Sequence, residues 1–242
     1  MRTTQRQQLE VFEMIENTRR SRNFLLVCGI LASLLYCGTD ILAGVLRVDY
    51  SFTSQSASVL SAYGASTRPL VLPLQLTADI LLVPFAFGIW RSAGRNRTMR
   101  VIAGLLAGNA IISGVAVAFF PMHHGEAVST LANTINVILM GVGVVLFQLA
   151  IVLSVVAYRN WFRFYSLGTI LVLLVGDILA TLGTTPTLYG NPGPLVGIQE
   201  RIMIYGDLLW IVVLAIVLLG AEKKLVQQSV QPDTRITSLS PH

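Results

Sequence analysis

The chain has 242 residues, of which 54% are hydrophobic and 12% are charged, and its mean hydropathy is +0.69. This composition excludes an ordinary soluble domain and is typical of a protein that crosses a membrane several times. The net charge of +5 comes from basic residues between apolar stretches, which indicates contact with an anionic membrane surface. We therefore expect the lipid bilayer as a partner and no binding of nucleic acid.

Six apolar stretches are long enough to cross the hydrocarbon core as helices, which takes about 20 residues. They lie at roughly 24–46, 70–90, 101–120, 129–157, 164–183 and 201–220. The sequence thus predicts an all-α, polytopic membrane protein whose six transmembrane helices occupy residues 24–220. Residues 1–23 precede them, either as a short amphipathic helix on the membrane surface or as a solvated tail, and a polar tail follows at 221–242.

Basic residues are distributed unevenly between the two ends of the predicted bundle. The end that carries the N-terminus would hold 14 of the 17 basic residues, and the other end would hold Arg47, Arg68 and Arg201. Because short loops rich in Lys and Arg remain in the cytoplasm, the N-terminus and the C-terminus are both predicted to be cytoplasmic. The expected location is the cell inner (plasma) membrane, crossed several times.

Four aspartates lie inside the apolar stretches, where a charge facing lipid costs about 2.5–3.5 kcal/mol. They are Asp40, Asp79, Asp177 and Asp207. Counted at 1.5 Å per residue, each lies about 10–14 Å below the outer edge, so the four share one depth. We expect them to face the bundle interior and to form a polar pocket that is open to the outer side.

Other polar residues are expected to join the aspartates in this pocket. Helical spacing and depth add Tyr36, Gln75, Asn133 and Asn136. Carboxylates in a low dielectric have to be protonated, paired with a cationic side chain or bound to a cation, and Arg68 and Arg201 lie at the rim to pair with them. The sequence therefore predicts a site that binds or transports a cation, a proton or a small polar solute.

A metal-dependent intramembrane hydrolase acting on lipid is the first alternative. His123, His124 and Glu126 follow the third stretch and are its candidate metal ligands, but adjacent histidine side chains diverge. Zinc hydrolases usually need more imidazole than this chain offers, so we expect no metal and no cofactor, and the sequence leans against an enzyme without identifying any catalytic residue. The second alternative is a structural protein whose aspartates bond across helices and only fasten the bundle.

The first outer loop, Ser54 to Pro69, has the sequence SQSASVLSAYGASTRP and resembles the corresponding loop of the DUF998 membrane proteins. The segments Phe120 to His123 and Glu200 to Trp210 are similar to that family as well. The resemblance covers nearly the whole chain. It implies a bacterial or archaeal multi-span membrane protein without a settled biochemical activity.

This chain departs from the DUF998 pattern at three positions. Val59 stands where the resemblance implies a Glu, and Asn133 and Asn136 stand where it implies an Asp and a His. Amide side chains cannot take the place of a carboxylate and an imidazole as acid, base or zinc ligands. The departures therefore favour binding over hydrolysis in this member of the family.

Overall fold

A computed structural model describes residues 2–122, 131–184 and 194–230 of the chain. This part consists of α1 (Arg2–Leu46), α2 (Arg68–Ser92), α3 (Arg97–Phe119), α4 (Leu131–Ala157), α5 (Trp161–Thr184) and α6 (Val196–Val230). One 3₁₀ turn, Ala57–Leu60, lies between α1 and α2, and the described residues contain no β-strand. The predicted all-α class is confirmed for the part of the chain that is described.

Five segments of the described helices are long and apolar enough to cross a membrane. They are Glu16–Leu46, Arg68–Ser92, Arg97–Phe119, Leu131–Ala157 and Val196–Ala221. A shorter apolar stretch, Trp161–Gly176, lies in α5. Large apolar side chains such as Phe24, Ile80 and Phe164 are exposed on the outside of the bundle, as a surface in contact with lipid requires. The chain is therefore a membrane protein with several apolar helices.

Short connections make α2 antiparallel to α3 and α4 antiparallel to α5. Between α2 and α3 the chain turns at Gly94, whose positive φ of 52° is unstrained only for glycine. Asn96 then caps α3, because its side chain accepts a hydrogen bond from Met99 N at 3.3 Å. Each helix packs against the next in sequence, and α6 also packs against α1, so the helices form a closed ring.

The two ends of this ring differ in how their interiors are filled. We call the end that carries residues 47–67 the loop end. Towards the opposite end, the rings of Phe147 and Phe162 pack on Trp210, with centroids 5.7 and 6.0 Å away, and all three side chains are buried. Trp210 Nε1 donates to Ser166 Oγ at 3.1 Å, which satisfies the buried indole N–H. This aromatic packing fills the interior around Trp210.

Candidate functional site

A cavity of about 400 Å³ lies in the loop-end half of the bundle. Each helix contributes at least one side chain to its lining, and these include Tyr36, Gln75, Ser113, Asn136, Leu173 and Asp207. Ser58 and Ser61, from the 47–67 loop, line it as well. The volume falls within the range of roughly 300–1,000 Å³ that small-molecule sites occupy. The cavity is therefore large enough to hold a small organic ligand.

One wall of the cavity is a face of α6. Glu200, Met203, Ile204 and Asp207 all line it, and steps of three, one and three residues place them on one side of a helix. Counted at 1.5 Å per residue, Glu200 and Asp207 lie about 10 Å apart along the helix axis. None of the cavity-lining residues that the structure describes is Lys, Arg or His. This wall is therefore acidic.

A second wall comes from α4 and is mainly apolar. Val137, Met140 and Val144 line the cavity between two amides, Asn136 and Gln148, which lie about 18 Å apart along the helix. Asn136 Nδ2 donates to Phe120 O at 2.6 Å, so this amide is oriented by the end of α3. The cavity is thus elongated, with apolar walls and a small number of polar groups at fixed positions.

Arg201 follows Glu200 in the sequence but faces α1 instead of the cavity. Its Nε donates to Asp40 Oδ2 at 2.9 Å and its Nη2 to Asp40 Oδ1 at 3.0 Å, which is a bidentate ion pair. Tyr205 Oη donates to Asp40 Oδ2 at 2.6 Å. Arg201 and Asp40 are only 8% and 5% exposed, so this pair is shielded from solvent and lipid.

The remaining donors of Arg201 hold the 47–67 loop. Nη1 donates to Phe52 O at 3.0 Å and to Gln55 O at 3.2 Å, and Nη2 donates to Tyr50 Oη at 2.6 Å. The guanidinium also lies 4.8 Å from the centroid of the Phe52 ring. Burial raises the pKa of the Tyr50 hydroxyl, although its bond to Arg201 acts in the opposite direction. We call Asp40, Tyr50, Arg201 and Tyr205 the Arg201 cluster, and each guanidinium nitrogen in it has an acceptor.

Glu200 fixes the same loop from the cavity side. Its Oε2 accepts a hydrogen bond from Ala57 N at 2.6 Å, at the start of the 3₁₀ turn. Arg47 Nη1 donates to Val59 O at 2.9 Å, and Arg68 donates to Ser61 O. These bonds hold the loop across the loop end of the cavity.

The predicted aspartates occupy three different environments. Asp207 lines the cavity, whereas Asp40 belongs to the Arg201 cluster. Asp79 is 7% exposed and accepts a hydrogen bond from Ser113 Oγ at 3.3 Å, so it lies behind a residue of the cavity wall. The side chain of Asp177 lies outside the described part of the chain. A shared depth therefore does not place Asp40, Asp79 and Asp207 in one cluster.

The other predicted site residues divide in a similar way. Tyr36 and Gln75 line the cavity and are joined by a hydrogen bond of 3.0 Å from Gln75 Nε2 to Tyr36 Oη. Asn136 lines it as well, whereas Asn133 is buried on α4 and is not part of the lining. Arg68 lies at the rim, where it bonds the backbone of the 47–67 loop.

The candidate metal ligands His123, His124 and Glu126 lie outside the described residues. Within residues 2–122, 131–184 and 194–230, no three His, Cys, Asp or Glu side chains come together as a metal-binding group. Of the acidic residues within the bundle, Glu200 and Asp207 line the cavity, Asp40 belongs to the Arg201 cluster and Asp79 bonds Ser113.

Glu200 and Tyr50 have roles in the structure that the sequence did not predict. In the sequence Glu200 stands out only as part of a family motif, although it lines the cavity seven residues before Asp207. That spacing returns to the same helix face after two turns, so it could have identified Glu200. Tyr50 gives no comparable signal, because its contact with Arg201 depends on how the 47–67 loop folds back.

A family model described as a protein of unknown function (DUF998) matches residues 30–217 of the chain. No curated protein matches the chain, and no solved structure does so either. The matched range includes the whole Arg201 cluster and all the residues that line the cavity.

Proposed function

The chain belongs to the DUF998 family of proteins of unknown function, as its sequence predicted, and for this member we propose that the cavity binds an organic cation with an apolar body. The observation that carries the proposal is the acidic face of α6, with Glu200 and Asp207, in a cavity whose other walls are largely apolar. A ligand that matches both features has one protonated amine and a hydrocarbon part.

The charge of the ligand follows from the charges that line the cavity. A carboxylate in a low-dielectric site is stabilised by a positive charge, and a charge-assisted hydrogen bond contributes about 1.5–3 kcal/mol. Arg201, the nearest cation in sequence, is bound to Asp40 and to the loop. A ligand amine would supply the positive charge that Arg201 does not direct into the cavity.

An inorganic cation fits this cavity less well than an amine does. Hard cations such as Ca²⁺ take six to eight oxygen ligands at about 2.3–2.6 Å, so their carboxylates have to converge on one point. Glu200 and Asp207 are separated by about 10 Å along α6. Between them, Met203 and Ile204 present hydrocarbon and sulfur, which favour the body of an organic ligand.

The proposal includes an orientation in the membrane. All six helices would cross the bilayer, with the loop end outside the cell and both termini in the cytoplasm of a bacterial or archaeal cell. Arg95 and Arg159 lie in the connections at the opposite end and Arg97 begins α3 there, which supports this orientation. A cysteine at Tyr63 should react with an impermeant maleimide on intact cells, and one at Arg95 should not. The reverse pattern would overturn the orientation.

Binding can be measured with two small probes that differ in charge and little in shape. In lipid nanodiscs, radiolabelled phenethylamine should bind saturably, and the neutral analogue 2-phenylethanol should bind much more weakly. Asp207→Asn removes the charge of one carboxylate and should weaken phenethylamine binding roughly tenfold or more. Equal binding of amine and alcohol, or no binding of either, would overturn the proposal.

Asp49→Asn is the matched control for this experiment. Asp49 is exposed in the 47–67 loop and does not line the cavity, so the same chemical change there should leave phenethylamine affinity at the wild-type level. Glu200→Gln is a weaker test, because Glu200 also holds Ala57 N and its loss would disturb the loop. If Asp207→Asn weakens phenethylamine binding and Asp49→Asn does not, the positive charge of the ligand interacts with the acidic face of α6.

A further inference from the structure

The connection between α2 and α3 lies at the end of the bundle opposite the loop end and carries a concentrated positive charge. A stretch of ten residues around it holds four arginines, and the sequence from 80 to 119 contains no Asp or Glu. All four arginine side chains are exposed. They are Arg91, Arg95, Arg97 and Arg100.

Two of these arginines lie against aromatic rings of α2. Arg91 Cζ is 5.6 Å from the centroid of the Phe87 ring, and Arg100 Cζ is 5.7 Å from that of the Trp90 ring. Phe87 and Trp90 are three residues apart on one side of α2, and they are 54% and 47% exposed. A cation within about 6 Å of a ring centroid is attracted to the ring face. The two guanidinium groups are therefore held along the outer side of α2.

Each guanidinium also has a neutral hydrogen-bond acceptor on a neighbouring segment. Arg91 Nη1 donates to Ser21 Oγ of α1 at 3.2 Å, and Arg100 Nη2 donates to Gly94 O at 2.6 Å. Neither acceptor carries a charge, and Arg91 and Arg100 form no ion pair within the described part of the chain. A guanidinium has five N–H donors, so both groups can bind an anion in addition to these acceptors.

The outer side of α3 is open below Arg100, towards the middle of the membrane. Gly104 follows Arg100 by four residues, which places it on the same side of the helix and about 6 Å deeper. Gly104 is exposed, and a Cβ added there would meet no atom within 4 Å. The glycine therefore leaves space for a hydrocarbon chain directly below a guanidinium group.

A partner that matches both features carries an anion and a hydrocarbon chain. The planar guanidinium group forms paired hydrogen bonds with phosphate oxygens, and these charge-assisted bonds are stronger than neutral ones. A soluble anion would match the guanidinium groups alone. A phospholipid matches the whole surface, because its phosphate lies at the level of the helix ends and its acyl chains extend to the level of Gly104.

From this arrangement we infer that Arg91 and Arg100 bind the phosphate of an anionic phospholipid such as phosphatidylglycerol, and that one acyl chain of this lipid lies over Gly104. Arg95 and Arg97 increase the attraction of the anion. The inference goes beyond the proposed function, because it concerns the other end of the bundle and holds whether or not the cavity binds an amine. In the proposed orientation, the lipid belongs to the cytoplasmic leaflet.

Native mass spectrometry of the full chain in detergent, with one lipid added at a time, measures the affinity for each lipid. The wild-type protein should bind phosphatidylglycerol about tenfold more tightly than phosphatidylcholine, because only the former has a net negative headgroup. The double variant Arg91→Gln, Arg100→Gln should bring the two affinities within about a factor of two, since the groups that bind the phosphate are removed.

The double variant Arg159→Gln, Arg163→Gln is the matched control. Arg159 lies in the connection between α4 and α5 and Arg163 in the first turn of α5, both at the same end of the bundle and both exposed. It loses the same charge and should keep the preference for phosphatidylglycerol. If it loses the preference as fully as the variant at Arg91 and Arg100, or if the wild type binds both lipids equally, the inference is overturned.

Gly104→Leu tests the acyl chain separately, because the leucine side chain would occupy the surface on which the chain lies. It should weaken phosphatidylglycerol binding about threefold. Gly168→Leu is the control, since Gly168 is an exposed glycine of α5 whose added Cβ also meets nothing within 4 Å, and this variant should bind like the wild type. Equal affinities of the two variants would overturn the placement of the chain over Gly104.

Glycerophosphoglycerol, which is the headgroup of phosphatidylglycerol without acyl chains, distinguishes a lipid from a soluble phosphate compound. In excess it should leave phosphatidylglycerol bound to the wild-type protein, because it lacks the hydrocarbon that contacts α3. Complete displacement of the lipid by this compound would overturn the assignment to a phospholipid and would make the arginines a site for a soluble phosphate compound.

Discussion

Arg201 and Asp207 are charged residues on the same helix, less than two turns apart, yet they are used in opposite ways. Arg201 is 8% exposed and every guanidinium nitrogen in it has an acceptor, so its charge is neutralised within the protein. Asp207 lines a cavity of about 400 Å³. The comparison teaches that the position on the helix face decides whether a charged residue of α6 lies in the Arg201 cluster or in the cavity wall, where the proposed function assigns it to a ligand.

The largest expected effect comes from breaking the Arg201 cluster. Asp40→Asn leaves the buried guanidinium of Arg201 without its counterion, and loss of one partner of a buried pair typically costs about 3–5 kcal/mol. We therefore expect the variant to lose most of its folded yield and to unfold at a markedly lower temperature in detergent, as measured by tryptophan fluorescence and size-exclusion chromatography.

Asp49→Asn makes the same chemical change at an exposed position and should unfold like the wild type. If Asp40→Asn is as stable as this control, the Arg201 cluster does not fasten the bundle. The contrast between a structural Asp40 and a ligand-binding Asp207 would then fail.

A smaller effect is expected where the 47–67 loop meets α6. A Cβ at Gly197 would collide with the backbone of Phe52 and of Gln55, two loop residues whose carbonyl groups Arg201 binds. Gly197→Ala should lower the free energy of unfolding by about 1–3 kcal/mol, because the loop has to move off the helix. Denaturant titration in detergent would measure the change.

Gly38→Ala is the control for the glycine at 197. Gly38 lies in α1, and a Cβ there meets nothing within 4 Å, so alanine should leave stability unchanged or raise it slightly. Equal stability of the two variants would show that the close approach at Gly197 does not hold the loop.

Much of the fold could be predicted from the sequence, because lipid imposes a long apolar run on each membrane-crossing helix. Depth along a helix could also be counted, and it placed Asp40, Asp79 and Asp207 at one level. The direction in which each aspartate points around its helix axis could not be predicted, because it depends on how neighbouring helices pack. Asp40 turned towards Arg201, Asp79 lies behind Ser113, and Asp207 lines the cavity.

The family resemblance predicted that the first outer loop matters, but it did not predict which contacts the loop makes. The DUF998 match extends from residue 30 to 217, and the resemblance drew attention to the 47–67 loop. The reason that the loop matters is a set of contacts distant in sequence, such as that between Arg201 and the carbonyl of Phe52, 149 positions apart. Pairings of this kind depend on the assembled ring and have no local sequence signal.

The smallest expected effect is the difference between the same substitution, Tyr to Phe, in the Arg201 cluster and in the cavity wall. Tyr205→Phe removes a hydroxyl that donates to the charged Asp40, whereas Tyr36→Phe removes one that accepts from the neutral amide of Gln75 in the cavity wall. Hydrogen bonds to charged groups contribute about 1.5–3 kcal/mol and neutral ones about 0.5–1.5 kcal/mol, so Tyr205→Phe should be the less stable variant by roughly 1 kcal/mol.

Tyr63→Phe provides the baseline for both variants, because Tyr63 is 64% exposed and its ring lies at the surface. Denaturant titrations of the three proteins would give the two differences on one scale. Equal losses at Tyr205 and Tyr36 would mean that the Arg201 cluster gains no extra stability from its charges. A larger loss of stability in Tyr205→Phe would mean that hydrogen bonds to charged groups stabilise the Arg201 cluster more than the neutral hydrogen bond stabilises the cavity wall.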